Sequence, residues 1–259
     1  MDLGLSGKTA LVTGSHRGTG AIIAARLLDE GATVLVHGFT HEEAQRSCET
    51  IGGGIAVHGD IATSAGTDVL FECCAAEAPV EILINNYGTA GPGKWDDTDE
   101  TAWLDMYQRN VLSAQRLIRH FLPTMRARRW GRIVNLGTVG STRPAARMPH
   151  YYAAKGALAT LTVSLAKEVA GSGITVNLVS PGLIHTAEVE ASYVAQGRRN
   201  GWGETWAEVE PHVAADIPIG RIVRREEVAD LVAFLASPRA DAIHGQNIRI
   251  DGGALGILT

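Results

Sequence analysis

Residues 8–20 read KTALVTGSHRGTG, an apolar run that passes directly into three closely spaced glycines. The apolar run predicts a buried strand, and the residues after it predict the start of a helix. Gly14 would allow a tight turn, Gly18 would let the backbone approach a pyrophosphate, and Gly20 would let the helix pack close to the sheet. The amides and dipole at the helix N-terminus would then face that anion. A strand, a glycine turn and a helix in this order predict a dinucleotide-binding unit, with a ligand-free glycine turn as the alternative.

Outward from this stretch, short apolar runs alternate with longer amphipathic ones along the chain. The apolar runs predict strands at residues 8–13, 32–37, 55–58, 81–85, 132–136, 174–179 and 247–250. The amphipathic runs predict helices at 18–30, 42–51, 63–76, 100–126, 151–170 and 226–235, with Pro123 bending or ending the long fourth helix. Continuous apolar strands between helices are typical of a parallel sheet covered on both faces. With right-handed crossovers, the sequence predicts one α/β domain over residues 1–259, a Rossmann-like doubly wound parallel sheet.

Residues 187–216 interrupt this alternation between the last two strand units. They include aromatic and imidazole side chains among charged ones, at Tyr193, Trp202, Trp206 and His212. Insertions of this length often cover a binding site, so we predict a substrate lid. The alternative is an additional surface helix pair with aromatic packing.

The composition limits the classes of function. The formal charge is −5 with acids and bases mixed along the chain, so no basic face for nucleic acid is expected. No apolar run is long enough to span a bilayer, and no signal peptide is expected. The three cysteines, Cys48, Cys73 and Cys74, show no metal-binding spacing and are expected to be buried or idle thiols of a cytoplasmic protein. We expect a small-molecule substrate, no metal, and copies of this chain as partners.

Tyr151 and Lys155 stand four positions apart in the run Tyr-Tyr-Ala-Ala-Lys, which places them on one face of a helix. A lysine cation ~4 Å from the phenol would contribute roughly 4 kcal/mol at an effective dielectric near ~20. That interaction could bring the tyrosine pKa from ~10 to as low as about 7. The phenol would then exchange a proton near neutral pH. Tyr152 is the alternative acid, but its partner four residues later is Gly156.

The spacing Thr13-Gly-x-x-x-Gly18-x-Gly20 resembles that of the short-chain dehydrogenase/reductase family, including members similar to 3-oxoacyl-[acyl-carrier-protein] reductases. The resemblance extends over essentially the whole chain. The other matching segments are Asp60-Ile61, Asn85-Asn86-Tyr87-Gly88, Asn110, Pro181-Gly182 with Ile184 and Thr186, Gly245-Gln246 and Asp251-Gly252-Gly253. The resemblance implies that a nicotinamide coenzyme binds to the glycine turn, which includes Ser15 and Thr19. It also implies that Asp60 and Ile61 contact the adenine.

The resemblance also implies roles for the catalytic residues. Tyr151 would transfer a proton to the substrate oxygen, while Lys155 lowers the tyrosine pKa and binds the nicotinamide ribose. Asn110 would hold a water that links Lys155 to solvent. The family's catalytic serine corresponds to Thr138, whose hydroxyl can also donate to a carbonyl oxygen, although a packing role is the alternative. Tyr87 replaces the family's alanine and would narrow the pocket, stack on the cofactor or point into the long helix.

The choice of coenzyme depends on the end of the second strand, where an acid binds the ribose hydroxyls in NAD enzymes. This stretch reads His37-Gly38-Phe39-Thr40, without an acid. Arg17 could meet a 2′-phosphate with Thr40 or His37 assisting, so we predict NADP(H) in preference to NAD(H). The alternative is that Arg17 is a solvated residue at the helix start.

The sequence therefore predicts an NADP(H)-dependent oxidoreductase that interconverts a ketone and a secondary alcohol. Two alternatives remain: an NAD-dependent alcohol dehydrogenase of the same family, and a non-catalytic NADP-binding protein. The resemblance also implies a homotetramer that pairs through the helices at 100–126 and 151–170. Arg126, Arg128 and Arg129 could receive an acidic carrier protein, but helix-dipole complementation and solubility explain them better.

Overall fold

The computed structural model describes residues 2–257, which form a parallel sheet between two layers of helices. The strands are β1 (Thr9–Val12), β2 (Thr33–Gly38), β3 (Ile55–His58), β4 (Ile82–Asn85), β5 (Gly131–Leu136), β6 (Ile174–Pro181) and β7 (Asn247–Ile250). All neighbouring strands are parallel, and their order is β3-β2-β1-β4-β5-β6-β7. The order reverses direction between β1 and β4, which opens a crevice at the carboxyl ends of these strands.

Helices cover both faces of the sheet. They are α1 (Gly18–Asp29), α2 (His41–Ile51), α3 (Ser64–Ala75), α4 (Glu100–Tyr107), α5 (Ser113–Arg128), α6 (Pro149–Glu168), α7 (Ala187–Asn200), α8 (Trp206–Val213) and α9 (Arg225–Ala236). Because strand residues alternate between faces, β1 sends Ala10 and Val12 into one core and Leu11 into the other. The first core lies under α1 and α9, and the second under α3, α5 and α6. This arrangement confirms the predicted doubly wound α/β fold.

The long fourth helix differs from its prediction. It consists of α4, a π-helical turn over Gln108–Leu112, and α5, which continues to Arg128. Pro123 lies inside α5 and does not end it. Pro123 is on the exposed side of the helix, where water can satisfy the carbonyl group that the proline ring leaves unpaired.

The segment at residues 187–216 contains the two helices α7 and α8. Trp202 stacks on His212 with 5.2 Å between ring centroids, and Trp206 stacks on His185 at 5.0 Å. Its structure is thus a helix pair with aromatic packing, while its movement over a substrate stays a prediction. Among residues 2–257, no helix combines the length and apolar character needed to cross a membrane.

Candidate active site

The glycine turn between β1 and α1 has the backbone geometry that requires glycine. Gly14 and Gly18 both have a φ of 62°, in the left-handed region that other residues rarely adopt. A Cβ on Gly20 would lie 2.5 Å from Asn86 Nδ2 and 2.6 Å from the Gly14 carbonyl oxygen. The Asn86 amide also donates to the Thr13 carbonyl (2.9 Å), which ties the ends of β1 and β4 together. The turn therefore presents its backbone at the crevice, as binding a dinucleotide phosphate requires.

His37 supports this turn from inside the protein. Its Nδ1 accepts a hydrogen bond from the Gly14 amide (2.9 Å), so Nε2 carries the proton and donates to the Gly59 carbonyl (2.9 Å). The side chain is fully buried, and burial lowers its pKa to about 4. The Ser15 hydroxyl is also turned inward, accepting from the His37 amide and donating to Val12. The prediction that His37 assists a 2′-phosphate is wrong, because both ring nitrogens are engaged away from the cavity.

The turn forms one wall of a cavity of about 630 Å³. The predicted cofactor residues that line it are Gly14, Arg17, Gly18, Thr19, Gly20, Phe39, Asn86, Tyr87, Gly88 and Thr186. Arg109 and Glu188, which sequence analysis did not identify, line it as well. The structure therefore brings the strand ends of β1, β2 and β4 and the start of α7 around one space.

The other predicted cofactor residues lie around or behind this cavity rather than in its lining. They are Ser15, His37, Gly38, Thr40, Asp60, Ile61, Pro181, Gly182 and Ile184. After β3, the Asp60 carboxylate accepts from the Ala62 amide (3.1 Å), and Ile61 is buried. After β6, Gly182 packs so closely on Asp251 that a Cβ would lie 3.0 Å from its Cα.

Tyr151 and Lys155 lie on one face of α6, beside the end of β5. The Lys155 ammonium is buried and donates to the Leu136 carbonyl (2.8 Å), and burial lowers its pKa to about 8. Burial raises the pKa of Tyr151 to about 12, with Tyr152 acting in the same direction and the Thr138 side chain opposing the rise. The expected lowering of the Tyr151 pKa by Lys155 is not found in this structure, where desolvation raises that pKa and Lys155 is not among the groups that shift it. The phenol is protonated at neutral pH.

Thr138 follows β5 and begins a short 3₁₀ turn over Val139–Ser141. Its hydroxyl accepts from the Gly140 amide (3.2 Å), and its interaction with Tyr151 places it beside the phenol. The Tyr152 ring packs against Gly140, where a Cβ would lie 2.1 Å from a ring carbon. The two adjacent tyrosines therefore differ in role: Tyr151 faces Thr138, and Tyr152 packs against its turn.

Asn110 lies in the π-helical turn and faces Lys155 across Gly88. Its Nδ2 donates to the carbonyl oxygens of Thr89 and Met106 (3.0 Å each), while its buried Oδ1 has no partner among residues 2–257. A Cβ on Gly88 would lie 2.6 Å from Asn110 Oδ1 and 2.9 Å from Lys155 Nζ. Because Gly88 has no side chain, a space remains between the acceptor oxygen of Asn110 and the ammonium group of Lys155. The unpartnered Oδ1 and the open glycine turn fit a bound dinucleotide with an ordered water.

Comparisons with known proteins agree with this geometry. A family model described as Enoyl-(Acyl carrier protein) reductase matches residues 14–254. The uncharacterized oxidoreductase YvrD of Bacillus subtilis is 35% identical over 261 residues, covering 98% of this chain and 99% of that protein. The 3-oxoacyl-[acyl-carrier-protein] reductase FabG of Salmonella typhimurium is 34% identical over 253 residues, covering 97% and 98%.

This chain belongs to the short-chain dehydrogenase/reductase family. Among solved structures, it is similar to L-sorbose reductase from Gluconobacter frateurii complexed with NADPH and L-sorbose, with a TM-score of 0.91 and 33% sequence identity over 100% of both chains. The family membership confirms an NAD(P)-dependent oxidoreductase that acts on the CH–OH and C=O pair.

Tyr87 departs from the family pattern. Its ring packs among apolar side chains under α5 and contacts Phe39 edge-on, with 5.5 Å between centroids. Its hydroxyl is buried without a hydrogen-bond partner in the described chain, and burial raises its pKa while the Arg109 charge opposes the rise. Of the three predicted orientations, the structure therefore has the ring pointing inward beneath the long helix, with one edge on the cavity.

A carboxylate from the first turn of α2 contacts the end of β2. The Glu43 carboxylate accepts from the amides of Phe39 (2.9 Å) and Thr40 (3.3 Å), and the Thr40 hydroxyl accepts from the Glu43 amide (3.3 Å). The preference for NADP(H) over NAD(H) stays a prediction. The run Thr40-His-Glu-Glu43 carries the spacing of a capping box, so the sequence contained the signal.

The arginines at the end of α5 lie far from this site. Arg126 pairs with Glu168 (2.6 Å), and Arg129 adopts the left-handed conformation that ends the helix. They precede β5, whereas Thr138 follows it, so the length of that strand separates them. This placement favours helix-end and solubility roles over docking of a carrier protein at the active site.

Proposed function

We propose that this protein uses NADP(H) to interconvert a ketone and a secondary alcohol by hydride transfer. The observation that carries the proposal is that Lys155 approaches Gly88, which lines one cavity with the glycine turn, while Tyr151 on the same helix lies beside Thr138. A proton donor next to a dinucleotide site is the arrangement that carbonyl reduction needs.

In the direction of reduction, the coenzyme supplies a hydride to the carbonyl carbon. Tyr151 donates its proton to the carbonyl oxygen, and the Thr138 hydroxyl donates a hydrogen bond to the same oxygen. Lys155 would hold the nicotinamide ribose, and a water at Asn110 Oδ1 would connect Lys155 to solvent.

Arg17 supports the choice of NADP(H), because it lines the cavity beside Phe39 at the end of β2. Its guanidinium is exposed and pairs with Glu188 at 3.4 Å, an interaction that a doubly charged phosphate can displace. An NAD-dependent alcohol dehydrogenase and a non-catalytic NADP-binding protein are the rival proposals. The presence of Asn110, Tyr151 and Lys155 together argues against the second.

Consumption of NADPH and NADH, followed by absorbance, tests the proposed function. The panel should contain simple ketones, diketones, ketoses and β-ketoacyl thioesters, since the similar proteins include a sorbose reductase and a 3-oxoacyl reductase. We expect at least one carbonyl compound to be reduced, with a higher kcat/KM for NADPH. Binding of NADPH without consumption of it by any compound would favour the non-catalytic protein.

Replacing Thr138 separates its chemical role from packing. Thr138→Ser keeps the hydroxyl and is expected to retain kcat within about threefold, whereas Thr138→Ala should lower kcat by about 100-fold, the typical loss for one donor at a reacting oxygen. Steady-state kinetics with the best compound of the panel measures both. Equal activity of the two variants would show that Thr138 packs and does not bind the substrate oxygen.

We also propose a homotetramer that forms through α4, α5 and α6. Apolar side chains on these helices are exposed in the single chain, namely Leu104, Tyr107 and Val163. Light scattering measures the mass of the assembly in solution. We expect the mass of four chains for the homotetramer, whereas the mass of one chain would contradict the proposal. The lid role of residues 187–216 and a cytoplasmic location stay predictions.

A further inference from the structure

His37 hydrogen-bonds to three consecutive residues of the glycine turn. Its Nδ1 accepts from the Gly14 amide (2.9 Å), its main-chain amide donates to the Ser15 hydroxyl (2.8 Å), and its carbonyl oxygen accepts from the His16 amide (3.0 Å). The end of β2 therefore sets the path of the chain where it leaves β1. Only the bond to Gly14 depends on the imidazole, so a substitution of His37 can remove that bond while the two main-chain positions remain.

The imidazole can hold Gly14 in this way only as a neutral ring. Nε2 donates to the carbonyl of Gly59, which directly follows β3, and Nδ1 is then the acceptor nitrogen. The side chain is fully buried, and burial lowers its pKa to about 4, so the ring is neutral at pH 7. The Gly14 amide is thereby directed into the protein, while the Gly14 carbonyl oxygen accepts from the Asn86 side chain (3.4 Å). Gly14 is thus restrained on both sides.

Gly14 is a residue for which such a restraint matters. Its φ of 62° is one of several conformations that a glycine adopts at little cost, because it has no Cβ. It also lines the cavity of about 630 Å³ together with Gly18 and Gly20. If Gly14 could rotate freely, the turn would have to become ordered when an anion binds, and that loss of conformational entropy would weaken binding.

We propose that His37 is a positioning residue for coenzyme binding, which orders the glycine turn in advance of the pyrophosphate. The pyrophosphate is common to NADP(H) and NAD(H), so His37 is expected to strengthen the binding of both equally. Strands β1 and β4 separate His37 from β5, beside which Tyr151 and Lys155 lie, so it should affect coenzyme binding and not proton transfer. The inference rests on the proposed function, since it takes a nicotinamide coenzyme as the ligand of the turn.

Three substitutions of His37 test this role. His37→Leu removes the acceptor for the Gly14 amide, and we expect the dissociation constants of NADPH and NADH each to rise by about tenfold, because a donor loses its partner. The kcat at saturating coenzyme should stay within about threefold. His37→Asn keeps an acceptor at the δ position, whereas His37→Gln can keep only the donor to Gly59. We therefore expect Asn, but not Gln, to restore both dissociation constants, which fluorescence titration of the full-length protein measures.

His244→Leu is the matched control. His244 has the same pattern of hydrogen bonds at a distant place, since Nδ1 accepts from the Val176 amide (3.1 Å) and Nε2 donates to the Ala166 carbonyl (2.8 Å). Ala166 lies in the last turn of α6, whereas Tyr151 lies in its first. Both leucine variants should lower the melting temperature, but His244→Leu should leave the coenzyme dissociation constants within about twofold. A purely structural role of His37 would make the two variants alike.

The outcomes separate this inference from the proposed function. Unchanged dissociation constants in His37→Leu, or a weakening in His37→Asn as large as that in His37→Leu, overturn the role of His37 and leave the oxidoreductase proposal intact. Unequal changes for NADPH and NADH also overturn it. If His37→Leu does not fold, the comparison of His37→Asn with His37→Gln decides, and equal affinities of these two contradict the inference. Failure of the unaltered protein to bind either coenzyme overturns both proposals.

Discussion

Tyr151→Phe is expected to lower kcat by about three orders of magnitude while NADPH binding stays within about twofold. The phenylalanine ring retains the packing of Tyr151 against Met106 and Ala154, so the fold should persist. It removes the group that is protonated at neutral pH and lies beside Thr138. Kinetics with the best compound of the panel, together with coenzyme titration, gives both quantities.

Tyr152→Phe is the control for this variant. It removes a phenol from the adjacent residue but keeps the ring that packs against Gly140. Its kcat should stay within about threefold of the unaltered protein. If Tyr151→Phe remained active and Tyr152→Phe did not, the assignment of the acid would have to be exchanged.

Lys155→Met is expected to lower kcat by about two orders of magnitude and yet to stabilise the protein. Lys155 is a buried cation whose described contact is the Leu136 carbonyl, and no carboxylate offsets its burial. Lowering its pKa from 10.5 to about 8 corresponds to about 3 kcal/mol. Allowing for the lost hydrogen bond, we expect the free energy of unfolding at pH 7 to rise by about 1–3 kcal/mol. Chemical denaturation measures this change.

The gain in stability should depend on pH. Below about pH 8 the lysine is charged in both states, so the cost of burying the charge is fully present. Between about pH 8 and 10.5 the unfolded chain binds a proton that the folded chain does not, so the unaltered protein gains stability as pH rises. The difference in the free energy of unfolding between the unaltered protein and Lys155→Met should therefore disappear near pH 10.5. Lys167→Met, an exposed change on the same helix, should show no such trend.

The order of strands and helices and the pairing of Tyr151 with Lys155 could be predicted because they depend on local periodicity. Apolar runs of strand length and a four-residue spacing on a helix are visible in the sequence itself. The glycine turn could be predicted equally well, because its three glycines directly follow the first strand. These features can be predicted without knowing which residues pack against them.

The errors concern properties that depend on contacts distant in sequence. The role of His37 follows from Gly59, which comes directly after β3, and from complete burial, neither of which the run around His37 reveals. The pKa of Tyr151 depends on how much water the fold removes, and desolvation is its largest cause, which the four-residue spacing to Lys155 does not reveal. Glu43 is a different case, because the capping box that it forms with Thr40 has a spacing visible in the sequence.

The π-helical turn has a consequence for how this segment can vary. A π turn holds one residue more than an α-helical turn, so α4 and α5 are out of phase by about 100° around a common axis. Deleting one residue from Gln108–Leu112 would restore a regular helix and rotate Asn110 away from Lys155, although no side chain had been exchanged. Substitutions of the other residues of this turn are therefore expected to be tolerated far better than a change of length. A relative with a single-residue gap at this point would have lost the alignment of asparagine and lysine even if both residues were kept.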